Sequence, residues 1–372
     1  MARGVPLEDD AAVLDDVEGV GSVFGKRGAE SFEAGGRGLG GEDREKRKKR
    51  EDTNHSASLS RYNPVMNRRE FVATAVTVPA ASAAAKPFPK RPYKDGVELS
   101  IIGFGGIVVM GMEQPEANQR VAEAWERGIN YYDVAPSYGD GEAEMKLGPA
   151  LEPFRKNAFL ACKTGMRDAA GAQKEFERSL KRLRTDHFDL YQFHAVSSMD
   201  DVKKILAPGG AAEFFLKAKR EGKTRYVGFS AHSAEAALAL LDAFPADSVL
   251  FPVNFSCWNT GGFGPQILAK AKEKGAARLA LKGMAHQPWP KEMARQGRKY
   301  PKCWYQPLDE MEKAQLALRW TLSQEITAAV PPGDERLFAM AMEIGAAYKP
   351  LNKKEQGEVL AFAKASEPLF KA

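Results

Sequence analysis

Four side chains capable of acid–base chemistry stand at the ends of three consecutive apolar segments: Asp133, Tyr138, Lys163 and His194. A tyrosine hydroxyl can deliver a proton to a carbonyl oxygen as a hydride arrives, but its ordinary pKa of about 10 makes it a slow proton carrier at neutral pH. A neighbouring ammonium group favours the phenolate and lowers that pKa. We therefore interpret Lys163 as that ammonium, Asp133 as the carboxylate that keeps it charged, and His194 as a group that orients the carbonyl oxygen.

The segments that would position these side chains alternate between two patterns from about residue 90 onward. Short runs that are apolar on both faces, typical of buried parallel strands, are each followed by a segment with helical periodicity. After a short hairpin turning at Asp95-Gly96, eight such strand–helix units follow, and a short helix over Lys353–Lys364 closes the chain. This number of units favours a closed (β/α)8 TIM barrel over residues 90–372. An open sheet with a dinucleotide fingerprint is disfavoured, because the run Gly103–Gly106 is too compressed for that motif.

In such a barrel, functional groups lie at the C-terminal ends of the strands. The predicted second, third and fourth strands cover residues 130–134, 158–163 and 188–193, and the four polar side chains lie at or just after their ends. We therefore expect all four to meet at one mouth of the barrel.

The segments around these residues resemble those of the aldo-keto reductase family. Residues 132–139 are similar to its Asp-x-Ala-x-x-Tyr-Gly signature, residues 176–194 to its second signature, and residues 161–164 to its lysine strand. The resemblance covers roughly residues 93 to 345. It implies an NAD(P)H-dependent oxidoreductase that reduces an aldehyde, ketone or sugar carbonyl, or oxidises the alcohol, with Tyr138 as general acid/base. Asp189 is expected to brace the fourth strand rather than to act in the site.

The resemblance also implies a nicotinamide cofactor. The candidate cofactor-binding residues are Gly106, Ser230, Asn254, Lys282, Gly333 and Arg336. Ser230 resembles a serine that holds the nicotinamide carboxamide, and an ammonium at Lys282 would suit the pyrophosphate. Two positions depart from the family pattern: Ala231 replaces a carboxamide-binding Asn, and Phe255, next to the matching Asn254, replaces a Gln.

The cofactor loop after the eighth strand leads into a helix N-terminus, where backbone N–H groups favour phosphate. Arg336 would suit the 2′-phosphate that distinguishes NADPH, whereas Asp334 and Glu335 would repel it. NADPH is therefore the preferred cofactor and NADH the alternative.

Two other functions remain open at this point. The chain could be a cofactor-binding regulatory subunit, although such a protein has no need of Lys163 and Asp133 beside Tyr138. It could also be a sugar-modifying enzyme with a tightly held cofactor. The loop from His286 to Leu308 carries Trp289, Trp304 and Tyr305, and either walls a substrate pocket or packs on the barrel rim.

Composition argues against several other classes of protein. The formal charge of +5 is small, and the densest basic cluster, residues 44–50, is interleaved with acids, so no nucleic-acid partner is expected. The three cysteines form no CxxC pair, so no metal site is predicted. No apolar run reaches the roughly 18–20 residues that span a bilayer.

The first 85 residues have a different character. Residues 1–65 are polar and are expected to be disordered, or an upstream extension of a protein that starts at Met66. Residues 66–85 carry Arg68-Arg69, a mild apolar stretch and small residues before Lys86, which resembles a twin-arginine export signal. This predicts a periplasmic or secreted protein that uses the twin-arginine translocation machinery, or a cytoplasmic one if the segment does not work as a signal.

Overall fold

The computed structural model describes residues 88–372, so the predictions for residues 1–65 and 66–85 lie outside the described residues. Eight parallel strands pair in chain order within that part of the chain. These strands are β3 (Phe104–Gly105), β4 (Tyr131–Asp133), β5 (Phe159–Thr164), β6 (Phe188–Val196), β7 (Thr224–Ala231), β8 (Ser248–Pro252), β9 (Ala277–Leu281) and β12 (Ala328–Val330). A parallel bridge between Ile102 and Ala329 joins the last strand to the first. Gly103 N donates to Ala329 O at 2.9 Å beside it, so the ring closes and the predicted (β/α)8 barrel is confirmed.

The strands are apolar throughout because both of their faces are buried. Alternate side chains point to opposite faces of a strand. Tyr131, Phe159, Leu190 and Leu250 belong to the core inside the barrel. Their chain neighbours, such as Leu160, pack in the shell between barrel and helices.

The helices surround the barrel. They are α1 (Gln114–Glu126), α2 (Glu142–Leu151), α3 (Ala169–Arg182), α4 (Met199–Leu206), α5 (Ala211–Arg220), α6 (Ala234–Ala243), α7 (Phe255–Asn259), α8 (Pro265–Glu273), α9 (Met311–Leu322), α10 (Glu335–Ala346) and α11 (Lys353–Lys364). Polar N-cap side chains begin several of them; Asp168, for example, accepts a hydrogen bond from Gly171 N at the start of α3. None of the helices within residues 88–372 combines the length and apolarity that crossing a bilayer requires.

A short hairpin closes the end of the barrel opposite the predicted site. Strands β1 (Lys90–Pro92) and β2 (Glu98–Ser100) pair antiparallel. Asp95 and Gly96 both have positive φ, 51° and 77°, as a tight hairpin turn requires, so the predicted turn is confirmed. Next to β1, Tyr93 packs edge-on against Phe159, 5.0 Å between ring centroids.

Two local predictions differ from the structure. The apolar run over residues 249–255 predicts the sixth barrel strand. That strand, β8, ends at Pro252, because Asn254 caps α7 and turns the chain away. The predicted loop from His286 to Leu308 contains a second hairpin, formed by β10 (Ala285–Pro288) and β11 (Tyr305–Pro307). This hairpin lies beside the barrel mouth.

Candidate active site

Asp133 and Lys163 form a buried ion pair at the mouth of the barrel. Asp133 is the last residue of β4, and Lys163 is the last residue but one of β5. Because these strands are neighbours, the two side chains emerge at the same edge of the barrel. Lys163 Nζ donates to Asp133 Oδ1, and the two side chains are 1% and 2% exposed. Lys163 Nζ also donates to the Tyr138 hydroxyl at 3.2 Å. The three groups therefore form the predicted chain from carboxylate to ammonium to phenol.

The second oxygen of Asp133 is held by two residues that the sequence analysis did not select. Gln192 Nε2 donates to Oδ2 at 3.1 Å, and the Tyr131 hydroxyl donates to it at 3.2 Å. Both lie in barrel strands, and Gln192 is aligned with Lys163 across the β5–β6 pair. A glutamine in an otherwise apolar buried strand was the sequence signal for this contact. The two bonds leave Oδ1 free to face Lys163.

His194 completes the group at the end region of β6. Its ring meets that of Tyr138 edge-on, with 5.6 Å between centroids. Ser137 Oγ lies 3.3 Å from His194 Nδ1 and fixes the ring orientation. Burial, reinforced by the nearby Lys163 ammonium, holds the pKa of His194 well below its usual value. The imidazole is therefore neutral at physiological pH and acts as a hydrogen-bonding group without charge.

The pKa of Tyr138 corrects one expectation from the sequence. We expected Lys163 to lower this pKa, and its ammonium does act in that direction. Burial has the larger effect, however, and the pKa of Tyr138 is raised from its usual value. The phenol is consequently protonated at neutral pH, which is the form needed to give a proton to a carbonyl oxygen.

Asp189 lies outside the site, as predicted. Its carboxylate accepts from Leu160 N at 2.9 Å and from Arg155 Nη1 at 3.0 Å. These bonds tie β6 to β5 on the helix side of the barrel.

The four residues open into a cavity of about 110 Å³. Three of the candidate cofactor-binding residues, Ser230, Lys282 and Gly333, line the same cavity. So does the segment Lys302–Tyr305, which leads into β11. The loop from His286 to Leu308 therefore contributes to the wall of the cavity.

Lys282 is a partly buried cation in this wall. Its Nζ lies 5.1 Å from the centre of the Trp304 ring and 4.7 Å from that of Tyr305. Such contacts stabilise the ammonium. Burial nevertheless lowers the pKa of Lys282 to about 8. The cation is thus available to an anion at neutral pH and is lost in mildly alkaline solution.

The other three candidate cofactor-binding residues do not line the cavity. Asn254 is fully buried, and its side chain bonds Ser256 N, Cys257 N, Lys282 O and Ala285 O. Gly106 packs against Val134, where an added Cβ would lie 2.6 Å from Cγ2. Its neighbour Gly105 lines the cavity instead.

Arg336, the third of these, lies at the start of α10. Its guanidinium binds both oxygens of Asp334, at 2.9 and 3.0 Å, and lies over the Tyr300 ring at 4.6 Å. The side chain is 56% exposed. The guanidinium is therefore accessible from solvent while it is paired with Asp334.

His232 also lines the cavity, although the sequence analysis did not select it. Its Nε2 is buried and has no hydrogen-bond partner among residues 88–372. The sequence signal for His232 was its position two residues after Ser230, since side chains two residues apart along a strand point to the same face. Burial, together with the charge of Lys282, lowers the pKa of His232 to about 3.

Because the pKa values of His194 and His232 are lowered in the folded protein, we expect the free energy of unfolding to decrease in mild acid. In the unfolded chain each takes up a proton below a pH of about 6.5, which the folded site resists. Each should therefore reduce the free energy of unfolding by about 1.4 kcal/mol per pH unit as the pH falls below 6.5. For His232 the loss continues toward its folded pKa of about 3. Urea unfolding at pH 7 and pH 5 tests this: the decrease should be smaller in His232→Phe than in wild type, and equal decreases would contradict the assignment.

Comparison with known proteins agrees with this arrangement. Residues 101–363 match the profile of the aldo/keto reductase family. Among curated proteins, L-galactose dehydrogenase of Arabidopsis thaliana is 30% identical over 169 residues, 41% of this chain and 51% of that protein. The Bacillus subtilis aldo-keto reductase YhdN is 31% identical over 176 residues, 43% of this chain and 51% of its own. The chain thus spans about half the length of these relatives.

Solved structures show the same fold over nearly their full length. A holo aldo-keto reductase of Bacillus halodurans superposes with a TM-score of 0.59 at 23% identity, over 76% of this chain and 98% of that one. An aldo-keto reductase of Klebsiella pneumoniae in complex with NADPH gives 0.57 at 20% identity, over 77% and 98%. With the family profile matched over most of the barrel and the Asp133–Lys163–Tyr138–His194 group assembled at its mouth, the chain belongs to the aldo/keto reductase family.

Proposed function

We propose that the protein is an NAD(P)H-dependent oxidoreductase that reduces an aldehyde, ketone or sugar carbonyl, or oxidises the corresponding alcohol. The observation that carries this proposal is the hydrogen bond of 3.2 Å between Tyr138 and a Lys163 already paired with Asp133. A module that only binds a cofactor gains nothing from a buried ion pair next to a phenol, and burying that pair is costly.

Each residue has a defined part in the reaction. The bound nicotinamide would supply or accept the hydride. The Tyr138 hydroxyl gives its proton to the carbonyl oxygen, and Lys163 stabilises the negative charge that develops on the phenolate. His194, neutral and fixed by Ser137, donates a hydrogen bond that orients the same oxygen. In alcohol oxidation the proton returns to Tyr138.

The residues around the cavity fit a phosphorylated nicotinamide cofactor. Ser230 lines the same cavity as the four strand-end residues, and Lys282 would offer a cation to the pyrophosphate. Gly333 precedes α10, whose N-terminal N–H groups favour phosphate. Arg336 can exchange Asp334 for a 2′-phosphate, so NADPH is the cofactor we propose. The NADPH complex of the Klebsiella pneumoniae relative supports this choice.

The proposal is tested by fluorescence titration of the full chain with NADPH and NADH in parallel, followed by turnover of a panel of aldehydes, ketones and sugars. Cofactor binding with turnover would support it. Binding without turnover of any carbonyl or alcohol would favour a regulatory subunit, and no binding of either cofactor would refute the proposal.

The cofactor preference makes a separate prediction at Arg336. Arg336→Gln keeps the length of the side chain but removes the charge that a 2′-phosphate would meet. We expect the Kd for NADPH to rise about tenfold, as for one charge-assisted hydrogen bond, with little change for NADH. Arg295→Gln on the neighbouring loop is the control. An equal effect on both cofactors would contradict a 2′-phosphate contact.

One observation favours an enzyme that retains its cofactor between turnovers, which is one feature of the sugar-modifying alternative. The loop between β10 and β11 is joined to the rest of the barrel mouth at two places. Lys302 Nζ donates to Val108 O at 3.1 Å, and Arg336 Nη2 donates to Lys299 O at 3.3 Å. A cofactor bound beneath these contacts would exchange slowly. Cofactor that survives gel filtration of the purified protein would support this function, and its complete loss would oppose it.

We also propose export through the twin-arginine pathway. The support is the sequence of residues 66–85, with Arg68-Arg69 before a mild apolar stretch. The pathway carries folded proteins, which suits an enzyme that binds its cofactor before export. Replacing both arginines with lysine should keep the protein in the cytoplasm of a bacterial host, as fractionation would show. Unchanged export would refute the proposal.

A further inference from the structure

We propose that His232 binds the carboxamide of the nicotinamide, and so supplies the contact that the family pattern places at position 231. This inference rests on the proposed nicotinamide-dependent function. His232 is neither one of the residues implied by the family resemblance nor one of the four proposed catalytic residues.

Position 231 offers no polar side chain for this contact in this chain. Ala231 is the last residue of β7 and is fully buried in the shell between barrel and helices, together with Val227 and Phe229. Ser230 and His232 lie on the other face and line the cavity. A polar side chain on this side of the cavity therefore comes from residue 230 or 232, and the alanine at 231 leaves the helix-side packing apolar.

His232 presents an unsatisfied polar atom to the cavity. Its Nε2 is buried without a partner among the described residues, and an unpaired buried polar atom is unfavourable until a ligand pairs with it. The neighbouring Ser230 Oγ, by contrast, already accepts from Ala195 N at 2.8 Å. Its hydroxyl hydrogen remains available for a ligand. The two side chains thus offer two hydrogen-bonding atoms on one edge of the cavity.

The ring of His232 is held in place before any ligand arrives. It stacks on Phe370 with 5.1 Å between centroids and an interplanar angle of 19°. Its backbone N donates to Val196 O at 3.0 Å. A fixed hydrogen-bonding group loses little entropy on binding, so its contribution to affinity is favourable.

The chemistry of the pair matches a primary amide. A neutral imidazole nitrogen can donate or accept, according to its tautomer, and a serine hydroxyl can do the same. A carboxamide has a carbonyl oxygen and an NH2 group that pair with two such atoms at once. The low pKa of His232 agrees with this ligand, since a charged imidazolium would favour a carboxylate instead.

The test uses the full chain and two oxidised cofactors, NADP⁺ and its 3-acetylpyridine analogue, in which a methyl group replaces the amide NH2. Affinities are measured by calorimetry, and turnover of one carbonyl substrate is measured with NADPH. His232→Phe removes the polar atom and preserves an aromatic ring against Phe370. His286→Phe is the matched control, because His286 also packs on a phenylalanine, Phe362, at 5.2 Å, but does not line the cavity.

We expect His232→Phe to weaken NADP⁺ binding about tenfold, the equivalent of one hydrogen bond, and to abolish any preference of the wild type for NADP⁺ over the analogue. His232→Gln should restore part of the NADP⁺ affinity and part of the preference for NADP⁺ over the analogue. His286→Phe should behave as wild type. Unchanged cofactor affinity in His232→Phe would overturn the inference, and a raised KM for the carbonyl substrate alone would assign the residue to substrate instead. If wild type binds no nicotinamide cofactor, the proposed function fails first and this inference fails with it.

Discussion

Tyr138→Phe should lower kcat for carbonyl reduction by about 10²–10⁴-fold, the contribution typical of a positioned general acid. The substitution removes the hydroxyl that Lys163 contacts at 3.2 Å and leaves the ring that packs edge-on against His194. Because phenylalanine keeps the shape of the pocket, affinity for NADPH should be nearly unchanged. Steady-state kinetics and cofactor titration of the same preparation provide the two measurements.

Tyr305→Phe is the control for Tyr138→Phe. Tyr305 lines the same cavity and is packed beside Lys282, so the variant removes a second cavity hydroxyl without touching the ion pair. It should retain most of the activity. Full carbonyl reduction by Tyr138→Phe would show that Tyr138 is not the proton donor.

Separating the Asp133–Lys163 pair should destabilise the fold as well as stop the reaction. Both side chains are almost completely buried, so Lys163→Met leaves a carboxylate without its cation, and Asp133→Asn leaves an ammonium without its anion. Breaking a buried pair in this way costs about 3–5 kcal/mol. We expect each single variant to lose about this much free energy of unfolding in urea, and to lose activity because Tyr138 no longer has a charged neighbour.

The double variant Asp133→Asn/Lys163→Met distinguishes the pair from a general loss of packing. It removes both charges, so its free energy of unfolding should exceed that expected from the sum of the two single effects. Lys354→Met, at an exposed ion pair with Glu358, is the control and should change stability little. Strictly additive losses in the double variant would mean that the two groups do not interact as the structure shows. Activity should stay low in all three site variants.

The barrel and the grouping of the four strand-end residues at its mouth were predictable from sequence because both depend on local patterns. Buried parallel strands appear in the sequence as continuous apolar runs. Polar residues at or just after the end of each run must lie at the barrel mouth. Asp133, Tyr138, Lys163 and His194 follow this rule, and the structure places all four along one cavity. The turn at Asp95-Gly96 was predictable for the same local reason, since its positive φ values suit those residue types.

The environment of these residues was decided only by the tertiary structure. The pKa of Tyr138 depends on the balance between burial and the Lys163 ammonium, and no sequence pattern shows which is larger. Asn254 lies in the apolar run that predicts the sixth strand, but its side chain caps α7 and donates to the carbonyls of Lys282 and Ala285, so it is not available to a cofactor. His232 was missed because its role depends on which face of β7 looks into the cavity. The residue types at the strand ends thus determined which chemistry we propose, whereas packing between distant segments determined which side chains reach the cavity and in which protonation state.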